Sequence, residues 1–209
     1  IPFDAAFRDT LNGVHSSVAL LQGTIKQIST NDSFFGINNG VGSTASIAMR
    51  DISKVLHYTN FTAAQNIRSS SKIISTTIGG FDAHQSIAGS YPYLIQTLSQ
   101  ALAGLVRQLS AFGLLNRTAI VVETEFGRTT RENGTGGLDH ANASYCMVLG
   151  GKVATGVYGP EATLQNIQTA NIARAEVPLT ALHRKVFTQA GFATAGLDQV
   201  YSDKLRNED

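Results

Sequence analysis

Apolar residues recur at Phe3, Phe7, Leu11, Val14, Val18, Leu21, Ile25 and Ile28. Steps of three and four put them on one stripe of a long helix, because an α-helix repeats every 3.6 residues. Gly13 and Gly23 interrupt that stripe at about 1 kcal/mol each, so packing has to hold such a helix. His15 falls off the stripe and is expected in solvent.

Asn31–Ser43, rich in Asn, Gly and Ser, reads as a loop. Ser43–Tyr58 predicts a second amphipathic helix with Ile47, Ile52, Val55 and Leu56 on its apolar side, and Phe61–Ser71 reads as a polar connection. Lys72–Ile78 (KIISTTI) is short and β-branched, the pattern of a strand, and runs into Gly79-Gly80. Tyr91–Phe112 is the clearest helical pattern (Ile95, Leu98, Leu102, Leu105, Val106, Leu109, Phe112), with Gly113 as its stop.

Thr118–Val122 predicts the next strand, Tyr145–Leu149 a further one closed by Gly150-Gly151, and Val153–Val157 one more before Gly159-Pro160. Thr163–Arg174 fits no element. Pro178–Gly191 predicts a terminal helix with Leu179, Leu182, Val186 and Phe187 apolar and Pro178 at its start. His183, inside it, is expected to be a surface or structural histidine. Strand, long helix, strand is the crossover pattern of a parallel sheet, so the expected fold class is α/β. No repeat or compositional break divides residues 1–209, which are expected to form one domain.

Composition narrows the partners. The net charge of +1 gives no reason to expect a nucleic acid or a membrane surface, and no run approaches the roughly 18 apolar residues of a membrane span. Cys146, the single cysteine, precludes an intrachain disulfide and, lying in an apolar run, is expected to be a buried, inert thiol. The chain begins at Ile1 rather than Met and has no signal peptide, so a processed or partial chain is expected. Asn-x-Ser/Thr sequences at Asn31, Asn60, Asn116, Asn133 and Asn142 support secretion only weakly.

The candidate chemistry lies after the predicted strands, where α/β folds bind ligands. Gly80 leads to Asp82 and His84, two apart and so on one side of an extended segment. After Val122 come Glu123, Glu125, Arg128, Arg131 and Glu132, a glycine-rich turn, and the pair Asp139–His140. Carboxylates with imidazoles suit Zn²⁺ or Mn²⁺, and Mg²⁺ or Ca²⁺ where oxygen dominates. Asp82, His84, Glu125, Asp139 and His140 could hold one or two divalent ions, with Arg128, three residues past Glu125, close enough to fork onto a phosphate or sulfate oxygen. The competing reading is a salt-bridged loop pairing Glu125 with Arg128 and Glu132 with Arg131. No G-x-S-x-G, P-loop or dinucleotide motif is present.

GGFDAH (Gly79–His84), TEFGRT (Thr124–Thr129) and NGTGGLDHA (Asn133–Ala141), followed by LGG (Leu149–Gly151), occur in that order. This order resembles a large, mostly uncharacterised family of exported bacterial proteins, often with a twin-arginine signal, placed in the alkaline phosphatase-like superfamily beside sulfatases and phosphomutases. The resemblance spans roughly 73–158. It implies a three-layer α/β/α sandwich with a mainly parallel sheet, a periplasmic or cell-surface location, and a centre for one or two divalent metals.

Residue by residue, it implies metal ligands at Asp82, His84, Glu125, Asp139 and His140, and cleavage of a small phosphate or sulfate ester. Ala83 and Ala141 stand where the family usually has Thr and Gly. A first-strand stretch resembling GG-x-DG, which would supply another Asp and the Ser or Thr nucleophile, is not found before residue 79. The chain is therefore expected to be the C-terminal part of a longer domain, to assemble with that part or with a second copy, or to be a non-catalytic cell-surface component with a vestigial metal site.

Overall fold

The strongest apolar pattern becomes the longest described helix of the computed structural model, which describes residues 22–61, 73–141, 144–151, 153–157 and 179–189. The helices are α1 (Thr44–Phe61), α2 (Ile87–Ala111) and α3 (Leu179–Gln189), with 3-10 turns at Asp32–Phe35 and Leu115–Arg117. Residues 22–26 are helical and Ile28 lies in the bend that follows, while the predicted stripe before residue 22 lies outside the described residues, as does Thr163–Arg174. No described helix is long and apolar enough to cross a membrane.

Contacts divide the chain into two units. The first holds residues 1–81 and 92–115 and carries nearly all of the described buried apolar side chains. Phe35, Ile37, Ala45, Met49 and Tyr58 are buried in it, with Ala101, Leu102, Leu105, Leu109 and Leu114. In α1 the buried face is Ala45, Ser46, Met49, Ser53 and Tyr58, whereas the predicted stripe of Ile47, Ile52, Val55 and Leu56 is only half-buried. Small residues let the backbone approach closely, and the Ser53 hydroxyl meets its hydrogen-bonding need by donating to the Arg50 carbonyl at 2.6 Å. Buried Gln108 is satisfied likewise, accepting from the Asn31 N–H at 2.8 Å.

The helix α2 starts at Ile87, earlier than Tyr91, the start its pattern predicts. Pro92 suits a first turn and so mimics a start, but it sits inside the helix. The true start is set by the Ser86 and Ile87 N–H groups, which donate to the carbonyls of Thr135 and Gly136. Gly113 ends the helix as expected, left-handed at φ 69°, with the Leu114 N–H reaching the Leu109 carbonyl at 2.8 Å.

Gly104 packs where a Cβ would stand 2.6 Å from Phe35 Cδ1 and 2.7 Å from the Phe34 carbonyl oxygen. Alanine ordinarily gains about 1 kcal/mol over glycine in a helix, but overpacking costs about 1–3 kcal/mol, and a backbone carbonyl cannot rotate aside. Gly104→Ala is therefore expected to lower the urea midpoint rather than raise it.

His57 lies against the Phe112 ring with centroids 4.3 Å apart, and burial lowers its pKa from 6.5. The unfolded chain then takes up the proton first, so stability present above pH 6.5 is lost as pH falls through the folded pKa. An NMR titration should place the His57 midpoint below 6.5, and His57→Phe should flatten that part of the stability profile.

The second unit holds residues 82–91 and 116–209. Its strands are β1 (Ile120–Val122), β2 (Gly127–Arg128), β3 (His140–Ala141) and β4 (Met147–Leu149). The strand β1 pairs antiparallel with β4, with Ile120 opposite Leu149 and Val122 opposite Met147. Inside that pair β2 faces β3, with Gly127 opposite Ala141 and Arg128 opposite His140.

This overturns the expected three-layer α/β/α sandwich. The described strands make two small two-stranded antiparallel sheets and no mainly parallel one. The predicted strand over Lys72–Ile78 has no regular structure from residue 73 onward, so the crossover unit lacks its first strand. A β-branched run forms a strand only where a neighbour pairs with it, and β1 instead pairs with the chain returning from its own nested hairpin. Val153–Val157 is likewise not a strand, and Cys146 is exposed rather than buried. Partial desolvation and then the Glu123 carboxylate push the Cys146 thiol up, so it stays protonated and a poor nucleophile.

Candidate metal centre

The nested hairpin sets the site. Antiparallel register places Arg128 directly across from His140. Phe126 stacks on the His140 ring with centroids 3.7 Å apart and planes 12° apart, and the Arg128 guanidinium lies 4.8 Å from the same Phe126 ring. One aromatic side chain thus orients both groups.

The segment carrying Asp82 and His84 is held against the hairpin tip by the turn over 133–137. Asn133 Nδ2 and Thr135 Oγ1 both donate to the His84 carbonyl, at 3.1 and 2.7 Å. Asn133 Oδ1 accepts from the N–H groups of Thr135 and Gly137, each at 3.0 Å. Gly137 is buried against the backbone of His84 and Gln85, where no side chain fits.

Three donor atoms converge. His140 Nε2 lies 2.9 Å from Asp82 Oδ1, His84 Nε2 lies 3.1 Å from the same oxygen, and the two Nε2 atoms are 3.1 Å apart. Ions that bond nitrogen or oxygen at about 2.0–2.1 Å separate adjacent ligand atoms by about 2.9 Å at octahedral angles and about 3.3 Å at tetrahedral ones. The triangle therefore has the size of one face of such a coordination shell. A neutral imidazole has one N–H, so wherever lone pairs face each other across these short edges they repel until positive charge sits between them. All three residues are exposed.

The surroundings support the same reading. Arg128 donates from one nitrogen to Asp82 Oδ1 at 3.0 Å and from the other to the Leu138 carbonyl at 2.6 Å. The His140 hydrogen bond holds the Asp82 carboxyl below its ordinary pKa against an opposing desolvation effect, and the Arg128 hydrogen bond adds to the lowering. Asp139 Oδ1 lies 3.3 Å from His84 Nδ1 and accepts from Asn133 Nδ2 at 3.0 Å. The Asn133 bond, and then the His84 one, hold Asp139 low as well. Both carboxylates are thus ionised at neutral pH.

Of the residues proposed from sequence, Asp82, His84 and His140 come together. Asp139 and Arg128 touch them from outside, on His84 and Asp82 respectively. Glu125 is exposed and is not one of the converging groups. Arg128 pairs with Asp82 where the loop reading gave it Glu125, and Glu123 meets His183, with Oε2 and Nε2 2.6 Å apart. Phe126, Asn133, Thr135 and Gly137 were not singled out for the site. The signal for Asn133 was the Asn-Gly dipeptide at 133–134, a hairpin turn sequence.

No curated protein and no solved structure matches the chain. A family model described as "Protein of unknown function (DUF1501)" matches residues 42–201, and the chain belongs to that family.

Proposed function

We propose that the chain binds one divalent cation through Asp82, His84 and His140, and acts on small phosphate or sulfate esters as an exported relative of the alkaline phosphatase-like hydrolases. The triangle of donor atoms with edges of 2.9, 3.1 and 3.1 Å carries this reading. Two imidazole nitrogens and one carboxylate oxygen favour Zn²⁺ or Mn²⁺ over Mg²⁺ and Ca²⁺. The side chains are 45% (His84), 47% (His140) and 60% (Asp82) exposed, which leaves a small anion access. The motif order GGFDAH, TEFGRT, NGTGGLDHA supports the hydrolase relationship and the periplasmic or cell-surface location; the fold lends it no support.

A divalent ion held there supplies Lewis acidity toward an ester oxygen and lowers the pKa of a coordinated water. Arg128 fixes Asp82, Phe126 fixes the plane of His140, and Asp139 holds the far nitrogen of His84. Since the Arg128 charge faces Asp82, an anion reaching Arg128 has to compete with that carboxylate.

Calorimetric titration with Zn²⁺ and Mn²⁺ should show one site, lost in the His84→Ala/His140→Ala variant. Aryl phosphates and aryl sulfates should be hydrolysed only with metal, and not by that variant. Binding without turnover would overturn the hydrolase half and favour a non-catalytic component of the cell surface. No binding at millimolar metal would overturn the whole reading.

A further inference from the structure

We propose that Asn39 is a site of spontaneous deamidation, and that the contacts which build the candidate metal centre suppress the same reaction at Asn133. The proposal does not rest on metal binding. An asparagine followed by glycine is open to attack by the next backbone nitrogen, because glycine has no Cβ to obstruct the approach. The glycine nitrogen gives up its proton and bonds to the asparagine Cγ; the bond from Cγ to Nδ2 breaks, and ammonia leaves. Water then opens the succinimide ring at either carbonyl, giving aspartate or isoaspartate, with no oxidant or reductant consumed.

Asn-Gly occurs at Asn12, Asn39 and Asn133, and Asn12 lies outside the described residues. The other two sit in opposite surroundings. Asn39 and Gly40 form the two-residue tip of a small hairpin, with φ of 50° and 77°. The Asn38 and Val41 N–H groups close it, each donating to the other's carbonyl, at 2.9 and 2.8 Å. Both tip residues are exposed, and no described group bonds the Asn39 side-chain amide or the Gly40 N–H. Ring formation requires Asn39 to leave its left-handed turn, which disturbs only those two closing bonds. Openings at an exposed loop tip belong to the least costly motions of a folded chain.

Asn133 is held at both ends of its amide. Nδ2, the nitrogen that has to leave, donates to the His84 carbonyl at 3.1 Å and to Asp139 Oδ1 at 3.0 Å. Oδ1 accepts from Thr135 N at 3.0 Å, Thr135 Oγ1 at 2.8 Å and Gly137 N at 3.0 Å. The Asn133 N–H also donates to the Gly137 carbonyl at 2.9 Å. Swinging Cγ onto the Gly134 nitrogen therefore breaks several bonds at once, where Asn39 has no side-chain bond to break.

Conversion at Asn39 should also weaken the first unit. Isoaspartate routes the main chain through side-chain carbons and lengthens the hairpin tip. Ile37, just before that tip, is 3% exposed and packs so tightly on Gly42 that a Cβ there would lie 2.7 Å from its Cγ1. The isoaspartate form should accordingly unfold at lower urea than the unconverted chain.

Peptide mapping of the wild-type chain, aged in mildly alkaline heavy-oxygen water either folded or in guanidinium chloride, tests the proposal. The incorporated label marks conversion during the incubation. Unfolded, the two sites should convert at similar rates. Folded, Asn39 should convert at least about tenfold faster than Asn133, because the population of locally open chain sets each rate. Thr135→Ala should speed conversion at Asn133 and leave Asn39 unchanged. Equal rates at the two sites in the folded protein, or faster conversion at Asn133, would overturn the proposal. So would an Asn39 that stays intact in the folded protein. If Thr135→Ala does not fold, the wild-type comparison decides by itself.

Discussion

Gly137→Ala should weaken Zn²⁺ binding by about 10–100-fold, the range for losing an outer-shell support of a metal ligand. A Cβ at Gly137 would lie well inside contact distance of the His84 carbonyl carbon and oxygen, and 2.6 Å from Gln85 N. These are backbone atoms, so no rotamer change relieves the clash. Either His84 moves away from Asp82 and His140, or the turn opens and Asn133 loses the Gly137 N–H it accepts at 3.0 Å. Both outcomes disperse the triangle.

The neighbouring glycines supply the controls. A Cβ at Gly134 would meet nothing within 4 Å, so Gly134→Ala should bind Zn²⁺ as wild type does. Gly136 has φ 72°, so Gly136→Ala should cost about 1 kcal/mol of stability through backbone strain, with a smaller change in affinity. Calorimetry on the three variants would refute the packing account if Gly137→Ala bound Zn²⁺ as tightly as Gly134→Ala.

Leu109→Ala should carry the largest stability cost in the first unit, about 2–5 kcal/mol, because it removes transfer free energy and leaves a cavity. Leu109 has 0% of its surface exposed, in a core that also buries Phe35, Leu105 and Leu114. Its carbonyl accepts from the Leu114 N–H at the helix end, so collapse around the cavity is resisted on that side. Ile95 lies on the same predicted stripe but is 50% exposed, and Ile95→Ala should cost about 1 kcal/mol or less. Urea denaturation of the pair discriminates: equal midpoints would mean that sequence periodicity, rather than burial, sets the energetics of α2.

That comparison marks how far the apolar pattern is legible. Period alone located α1, α2 and α3, and Gly113 predicted the stop it makes. Period did not tell which turns are covered, since a stripe records what could be buried, not what packs on it. In α1 the covered face runs through Ala45, Ser46, Met49 and Ser53, and two buried serines do not register in a hydrophobic count. Residues 73–78 show the same limit for strands. Their β-branched side chains favour extended backbone, but a strand requires a pairing partner, and that is a tertiary property.

For the site, residue type and order were enough to name Asp82, His84 and His140 together with Glu125 and Asp139 as candidates, because carboxylate and imidazole announce their own chemistry, but not to tell which three converge. Their separate roles were not legible. Asp139 and His140 are adjacent in sequence, yet only His140 enters the triangle, while Asp139 turns to the far side of His84. Phe126 and Asn133 carry no metal chemistry of their own and gain a role only through a ring stacked on His140 and an amide shared between Asp139 and His84.

The sequence by itself determined the helices, the glycine-rich turn over Gly134–Gly137 and the chemical identity of the candidate metal-binding groups. Each depends on local propensity or on the atoms of single side chains. Only the tertiary structure decided that β1 pairs with β4 rather than with a parallel neighbour, and that the register sets Arg128 opposite His140. It also decided that a glycine at 137 lets the backbone at His84 close to within reach of Asp139 and His140. Pairing and close approach join residues far apart in the chain, 58 positions in the bond between Asp82 and His140, and no local pattern encodes a distance of that kind.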